Sequence, residues 1–249
     1  MHCEATLLPF PICKPLKPAA FLWIVDSTQI SEEDDHRYLR LLSVSELQRY
    51  KTFLRHERRR QFLLGRTLLR SAIAEITGLT TSDLVVIERP GKAPQLGLTD
   101  NRLRNLSFSL THSRQWVACA IGIGCRLGID IESVDPERDV RSISEIIFHP
   151  EDRRWLAQQH QNDFVVEFYR LWCKREALLK LNSGGYGREK PLTVRSGWYS
   201  YSYVKRGFAT VICSSKPLKT VWQVESDAIF SSAVDHQLTL QTITCAPML

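Results

Sequence analysis

Residues 106–132 read LSFSLTHSRQWVACAIGIGCRLGIDIE. This stretch predicts three consecutive strands: 106–110, 116–121 and 126–132. Side chains alternate along a strand, so Ile129 and Ile131 share one face of the last one. Asp130 and Glu132 share the other face, where two carboxylates roughly 6.5 to 7 Å apart can hold one hard cation such as Mg²⁺. Alone, an Asp-x-Glu pair more often marks the polar outer face of a half-buried strand.

Helices are predicted on both sides of these strands. One runs over about 57–77 and ends at Gly78, and another runs over 164–181. Ser43 and Glu46 have the spacing of a capping box at the start of a shorter helix. The β-branched and aromatic residues of the last fifty positions predict several antiparallel strands. Periodicity alone therefore predicts an α+β protein in which a helix followed by short strands occurs twice.

Composition excludes several classes of protein. The chain has 249 residues, of which 43% are hydrophobic and 24% charged, which rules out long disorder, collagen, a coiled-coil rod and a membrane bundle. Its seven cysteines are irregularly spaced without a C-x-x-C pair, which argues against a disulfide framework and a zinc site and favours reduced thiols in the cytoplasm. Residues 1–18 are predicted to be an extended, proline-interrupted tail rather than an export signal, and 19–25 a buried strand too short for a membrane span.

The positive charge is concentrated in one sector. Ten basic residues lie between Arg37 and Arg70 and are opposed by only Glu46 and Glu57, so this segment carries +8 of a chain whose net charge is +6. Such a sector attracts a nucleic acid, a phosphorylated small molecule or an acidic protein. A charge run taken alone is more often a solvated helix face.

Two further groups of residues have chemical potential. Thr111 and His112 stand where a strand ends, and a hydroxyl and an imidazole there can hold phosphate oxygens, although a lone His is usually structural. Glu176 and Lys180 are four residues apart and share a helix face. They are either a surface salt bridge or a metal ligand or base beside a phosphate-binding cation.

The order of these motifs carries more information than any one of them. A Gly-Lys-Ala-Pro turn at 91–94 is followed by Ser-Leu-Thr-His-Ser, by Gly-Ile-Asp-Ile-Glu and by a Trp-x-x-x-Glu-Ala-x-x-Lys helix. Over roughly residues 20–215 this combination resembles the Sfp-type 4′-phosphopantetheinyl transferases. The resemblance implies two similar α/β halves with pseudo-two-fold symmetry, 19–125 and 126–249. Each half packs a long helix on a small, mostly antiparallel sheet.

The resemblance also implies an activity and a set of site residues. Family members are enzymes that transfer the 4′-phosphopantetheine arm of coenzyme A to a serine of an acyl or peptidyl carrier protein. They need Mg²⁺ and release adenosine 3′,5′-bisphosphate. The implied metal ligands are Asp130, Glu132 and Glu176, with Glu176 also the base and Lys180 catalytic beside the phosphates. The implied coenzyme A contacts are Arg49, Arg60, Arg66, Lys92, Thr111, His112 and Lys180. We expect a monomer that binds neither nucleic acid nor membrane.

Some positions depart from the family pattern, and two other functions stay open. Arg175 replaces the usual Lys, Ser109 the usual Asn and Thr111 the usual Ser, and Ala93 lengthens the usual Gly-Lys-Pro. A metal-dependent phosphodiesterase or nuclease would also use acidic residues beside a basic patch. A non-catalytic binder of acidic proteins is the other alternative, and it needs the three carboxylates to be dispensable.

Overall fold

The structure is a computed structural model. It describes residues 18–89, 91–97, 100–161, 163–183, 198–205, 207–218, 220–224 and 240–243. Most of the predicted tail lies outside these residues, as does Pro90, which precedes the predicted turn. Gly184, Gly185 and Gly187, which follow the predicted helix 164–181, lie outside them as well.

Ten strands and six α-helices occur in the described ranges. The strands are Ala19–Asp26 (β1), Val86–Ile87 (β2), Gln95–Leu96 (β3), Leu106–Ser113 (β4), Trp116–Ile123 (β5), Leu127–Ser133 (β6), Tyr199–Lys205 (β7), Phe208–Ser214 (β8), Val221–Val224 (β9) and Leu240–Ile243 (β10). The helices are Asp35–Leu39 (α1), Val44–Thr52 (α2), His56–Thr77 (α3), Val140–Ile147 (α4), Pro150–Ala157 (α5) and Phe164–Ser183 (α6).

The first sheet has five strands in the order β10-β9-β1-β5-β4. β1 pairs antiparallel with β5 on one side and parallel with β9 on the other. α3 packs on β4 and β5. The apolar side chains of one stripe of α3 are buried in the core of this sheet: Phe62, Leu69, Ile73 and Ile76. Gly78 ends the helix in the left-handed region, with φ of 69°, as its position predicts.

The second sheet is antiparallel and has three strands in the order β6-β8-β7. α6 packs across β6 and β8, and α4 and α5 pack against α6. The closest approach is at Gly128 of β6. A Cβ there would overlap the carbonyl oxygen of Ala177 and lie 2.7 Å from the backbone nitrogen of Leu181. The glycine therefore lets the backbone of α6 lie directly on the strand.

The predicted α+β class is confirmed, with a long helix packed on each larger sheet. The predicted strands 106–110, 116–121 and 126–132 correspond to β4, β5 and β6. α4 and α5 are additional to the predicted elements, and β9 and β10, from the predicted C-terminal half, complete the first sheet. Four cysteines in the described ranges are free and buried. No helix in the described ranges is both long and apolar enough to cross a bilayer.

Candidate active site

Asp130 lies at the centre of the predicted site, and only 6% of its surface is exposed. Its Oδ1 accepts hydrogen bonds from Lys180 Nζ at 2.7 Å and from Thr111 Oγ1 at 2.9 Å. Lys180 also donates to the carbonyl oxygen of Ile129 at 2.9 Å. Asp130 Oδ2 is buried and has no hydrogen-bond partner. A buried carboxylate oxygen without a partner is costly, and a cation is the kind of ligand that removes this cost.

Glu132 and Glu176 are half-buried, and both lie close enough to Asp130 for its charge to affect their pKa values. Burial raises the pKa of the Glu132 carboxyl, a hydrogen bond from Ser113 Oγ at 2.6 Å opposes the shift, and the charge of Asp130 adds to it. Burial, and then the charge of Asp130, also raise the pKa of the Glu176 carboxyl. The negative charge of Asp130 thus opposes the ionisation of both glutamates.

The predicted magnesium ligands are of the right chemical type, but their side chains do not come together at one point. All three offer carboxylate oxygens, which Mg²⁺ prefers, and one oxygen of Asp130 is unpaired. Nevertheless, no three His, Cys, Asp or Glu side chains in the described part of the chain come together as a metal site. The ammonium group of Lys180 forms an ion pair with Asp130.

The proposed surface salt bridge between Glu176 and Lys180 is not what the structure shows. The Lys180 ammonium pairs with Asp130 across the junction of α6 and β6, and no ion pair of Glu176 is found among the described residues. The close packing over Gly128 brings these two elements within reach of one lysine side chain. The i,i+4 spacing therefore correctly places Glu176 and Lys180 on one helix face. It does not identify the ionic partner of Lys180, which is Asp130.

His112 is neutral and lies in a cationic environment. Burial, and then the charges of Arg58 and Lys180, lower the pKa of His112 to about 3. Nη1 of Arg58 contacts Nε2 of His112, and since a guanidinium has no acceptor, the imidazole nitrogen accepts. Arg58 comes from the first turn of α3 and was not among the predicted site residues. The charge count alone gave no reason to prefer it to its arginine neighbours.

Several predicted phosphate contacts have internal partners instead. The guanidinium of Arg60 donates to the carbonyl oxygens of Ser27 and Ile30, at 2.6 and 2.5 Å. Arg66 is 6% exposed and pairs with Glu88 and Glu46. Both side chains therefore stabilise the segments packed around α3 and are not placed to receive a phosphate.

The remaining part of the basic sector is also less exposed than predicted. Arg70 is 2% exposed and donates to both carboxylate oxygens of the fully buried Glu46, at 3.0 and 2.5 Å. Arg49, whose side chain is 42% exposed, lies 3.4 Å from Glu88. The sector is thus partly an interior ion-pair network, and its net charge overstates the cationic surface that it offers to a ligand.

Lys92 is exposed in the turn between β2 and β3. Beside that turn is a cavity of about 230 Å³, whose polar lining includes Arg89, Arg104 and Ser107 and whose apolar lining includes Phe108. We call Asp130, Glu132, Glu176 and Lys180 the Asp130 cluster. The cavity and the Asp130 cluster lie toward opposite ends of β4. Cationic groups therefore lie near both ends of this strand.

Comparison with known proteins supports one family. The family model of the 4′-phosphopantetheinyl transferase superfamily matches residues 126–229, which include β6, α6 and the three carboxylates. The matched region thus contains the Asp130 cluster, whereas the cavity near Lys92 precedes it.

Curated relatives bear the same name. The 4′-phosphopantetheinyl transferase HetI of Nostoc sp. is 29% identical over 154 residues, which are 61% of this chain and 64% of the relative. The 4′-phosphopantetheinyl transferase Sfp of Bacillus subtilis is 26% identical over 63% of this chain and 66% of its own length. A putative 4′-phosphopantetheinyl transferase of Haemophilus influenzae is 34% identical over 58% of each chain.

The alignments span 64% of HetI and 62% of the transferase gsp of Aneurinibacillus migulanus, which is less than two thirds of either. Within that span the family model and the relatives agree on one assignment. They confirm the resemblance that the sequence predicted: over residues 126–229 the chain is similar to the 4′-phosphopantetheinyl transferase superfamily.

Proposed function

We propose that this protein transfers the 4′-phosphopantetheine arm of coenzyme A to a serine of an apo acyl or peptidyl carrier protein. The serine oxygen forms a bond to the β-phosphorus, and the bond from that phosphorus to the bridging pyrophosphate oxygen breaks. Adenosine 3′,5′-bisphosphate leaves, and the serine proton passes to a carboxylate. The observation that carries this proposal is the junction of β6 and α6, where Lys180 pairs with Asp130 and the Oδ2 of Asp130 is buried without a hydrogen-bond partner. The charge of Asp130 also acts there on Glu132 and Glu176.

Mg²⁺ is the cation that this carboxylate set suits. Asp130, Glu132 and Glu176 would hold it, and it would neutralise the charge that develops on the departing pyrophosphate oxygen. Lys180 supplies a positive charge of the protein's own at the same place.

Glu176 is the residue that we assign as the base. Its half-buried position and the nearby charge of Asp130 raise its pKa, so its carboxylate holds a proton more readily than an exposed glutamate does. Proton transfer to a positioned carboxylate is the usual role of a group with this kind of shift.

The cationic groups along β4 suit the phosphates of coenzyme A. Lys92 is exposed next to the cavity that contains Arg89 and Arg104, and we place the phosphorylated nucleotide at that end. His112 with Arg58, and Lys180, lie toward the other end, near the carboxylates. We retain Arg49 as a contact, because its side chain is 42% exposed.

We further propose that the halves are related by pseudo-two-fold symmetry and that the protein is a cytoplasmic monomer. The support is that a long helix packs on each of the two larger sheets, and that four buried cysteines are free. The nuclease alternative is less well supported than before, because Arg60, Arg66 and Arg70 are buried and do not form a continuous basic surface. A binder of acidic proteins would need the three carboxylates to be dispensable, whereas Asp130 is held in place by Lys180 and Thr111.

The test is the mass of a carrier protein. Apo-carrier protein is incubated with the enzyme, coenzyme A and Mg²⁺, and a gain of one phosphopantetheine is read by intact mass spectrometry. Glu176→Gln should lower kcat by about 10²- to 10⁴-fold while coenzyme A binding changes little. Glu151→Gln, an exposed change on α5, is the matched control and should match the parent. No mass gain with any of several apo-carriers, or parental kcat in Glu176→Gln, contradicts the proposal.

A further inference from the structure

One face of β4 is lined by hydroxyl groups. The sequence LSFSLTHS places a Ser or Thr at every second position of the strand, so these side chains share a face. We call the four residues the hydroxyl seam: Ser107, Ser109, Thr111 and Ser113. The opposite face includes Leu106, Phe108 and Leu110, which pack against the core of the first sheet.

The seam joins two sheets that share no backbone ladder in the described residues. β4 is the edge strand of the five-stranded sheet, and β6 is the edge strand of the three-stranded sheet. Amide N–H groups at alternate positions of β6 donate to hydroxyl oxygens of the seam. The pairs are Ile129 to Ser109 at 3.2 Å, Ile131 to Thr111 at 3.4 Å and Ser133 to Ser113 at 3.2 Å. The hydroxyls thus satisfy the free edge of β6 in place of a neighbouring strand.

Two of these hydroxyls also donate to a proposed metal ligand. Thr111 Oγ1 donates to Asp130 Oδ1 at 2.9 Å, and Ser113 Oγ donates to Glu132 Oε2 at 2.6 Å. A hydroxyl has a single proton, so a group that accepts from an amide and donates to a carboxylate is oriented from both sides. Ser109 accepts a hydrogen bond from β6 in the same way, but it has no carboxylate partner among the residues that the structure describes.

We infer that Ser113 and Thr111 are positioning residues that fix the orientation of Glu132 and Asp130 through the hydroxyl seam. The inference rests on the proposed function in that these carboxylates are metal ligands there. It changes the assignment of Thr111, which the family resemblance makes a coenzyme A contact, because its one proton is donated to Asp130. Removal of a group that hydrogen-bonds to a metal ligand typically lowers metal affinity or activity by about 10- to 100-fold.

The experiment compares three variants and uses metal binding as well as activity. Mn²⁺ is titrated into the full-length protein with coenzyme A and without carrier, and free Mn²⁺ is read by electron paramagnetic resonance. Ser113→Ala should weaken Mn²⁺ binding by about 10- to 100-fold. Ser113→Thr keeps the hydroxyl and should restore the affinity. Ser109→Ala removes one connection of the seam but touches no carboxylate, so it should lower Tm and leave Mn²⁺ affinity within about threefold of the parent.

Steady-state kinetics give a second readout. In Ser113→Ala the Mg²⁺ concentration for half-maximal rate should rise, while the KM for coenzyme A at saturating Mg²⁺ stays near the parental value. Thr111→Val, which keeps the shape of the side chain, applies the same test to Asp130 and serves if Ser113→Ala does not fold.

Three results would overturn the inference. One is parental Mn²⁺ affinity in both Ser113→Ala and Thr111→Val, another is an equal loss in Ser109→Ala, and the third is a parent protein that binds no Mn²⁺. Failure of the proposed function looks different, since the parent would then bind Mn²⁺, and Ser113→Ala would bind it more weakly, while no carrier protein gained mass. That result would leave the positioning role standing.

Discussion

Gly128→Ala tests the contact on which the site depends. The backbone of α6 lies directly on β6 at this glycine, and the same contact brings Lys180 to Asp130. A methyl group there would lie 2.7 Å from the nitrogen of Leu181 and closer still to the carbonyl oxygen of Ala177. Both atoms belong to helix backbone, so they cannot rotate away, and the helix as a whole must move.

The size of this movement sets the expected effect. Cβ contacts shorter than 3.4 Å are rare, so the Leu181 contact alone requires the helix to retreat by about 0.7 Å, and the Ala177 contact requires more. Overpacking of this kind costs about 1–3 kcal/mol of unfolding free energy. A misplacement of about 1 Å lowers a reaction rate by about 10²-fold. We therefore expect both a lower Tm and a transfer rate reduced on that order.

Gly65→Ala is the matched control, because it places the same methyl group in α3, which packs on the first sheet. Its Cβ would meet Val117 Cγ1 at 3.7 Å, an ordinary contact, and the position is inside α3. Alanine in a helix interior is favoured over glycine by about 0.5–1 kcal/mol, so Tm should rise or stay unchanged. Calorimetry and carrier mass analysis on both variants decide the matter. If Gly128→Ala melts and transfers like the parent, the close-approach argument is refuted.

Three further outcomes follow from the described contacts. Burial raises the pKa of Glu75 to about 7 from 4.5, so the folded state binds more protons between these values and stability falls as pH rises through them. The free energy of unfolding of Glu75→Gln should therefore exceed that of the parent by up to about 3 kcal/mol at pH 8 and should equal it at pH 4. Urea unfolding at both pH values measures this difference. Lys92→Ala should raise the KM for coenzyme A severalfold at an unchanged Tm, whereas an unchanged KM would remove it from the site. Arg60→Ala should instead lose about 2–3 kcal/mol of stability in the same urea assay, because two carbonyl oxygens lose a charged donor; parental stability would contradict its structural assignment.

Local signals in the sequence predicted the parts of the fold that depend on local physics. The capping box of Ser43 and Glu46 is present with both of its hydrogen bonds, and α3 ends at Gly78. The alternation in β6 is confirmed as well, since Ile129 and Ile131 are fully buried. Each of these features depends on neighbours within a few residues, and such neighbours are visible in a sequence.

Features that depend on distant partners were not predictable in the same way. Glu46 does cap α2, yet it also neutralises Arg70, which is 24 residues away, and that pairing buries a charge that the sequence assigned to the surface. Lys180 reaches Asp130, 50 positions earlier, rather than Glu176 on its own helix. The hydroxyl seam could have been predicted from the sequence, since a Ser or Thr occupies every second position of β4. Its partner strand, however, is known only from the fold.

The parallel pairing of β1 with β9 has a consequence for biosynthesis. Ala20 is paired with Val221, so one edge of β1 lacks its neighbour until about 200 more residues have been made. At typical rates of about 5–20 residues per second, that wait lasts roughly 10 to 40 s, during which β1 and β5 can already pair. An unpaired strand edge of this length recruits other chains. Nascent protein therefore carries an open sheet edge from the pairing of β1 with β5 until β9 has been made. A slower ribosome should lower the soluble yield more than it does for a protein whose sheets close in chain order.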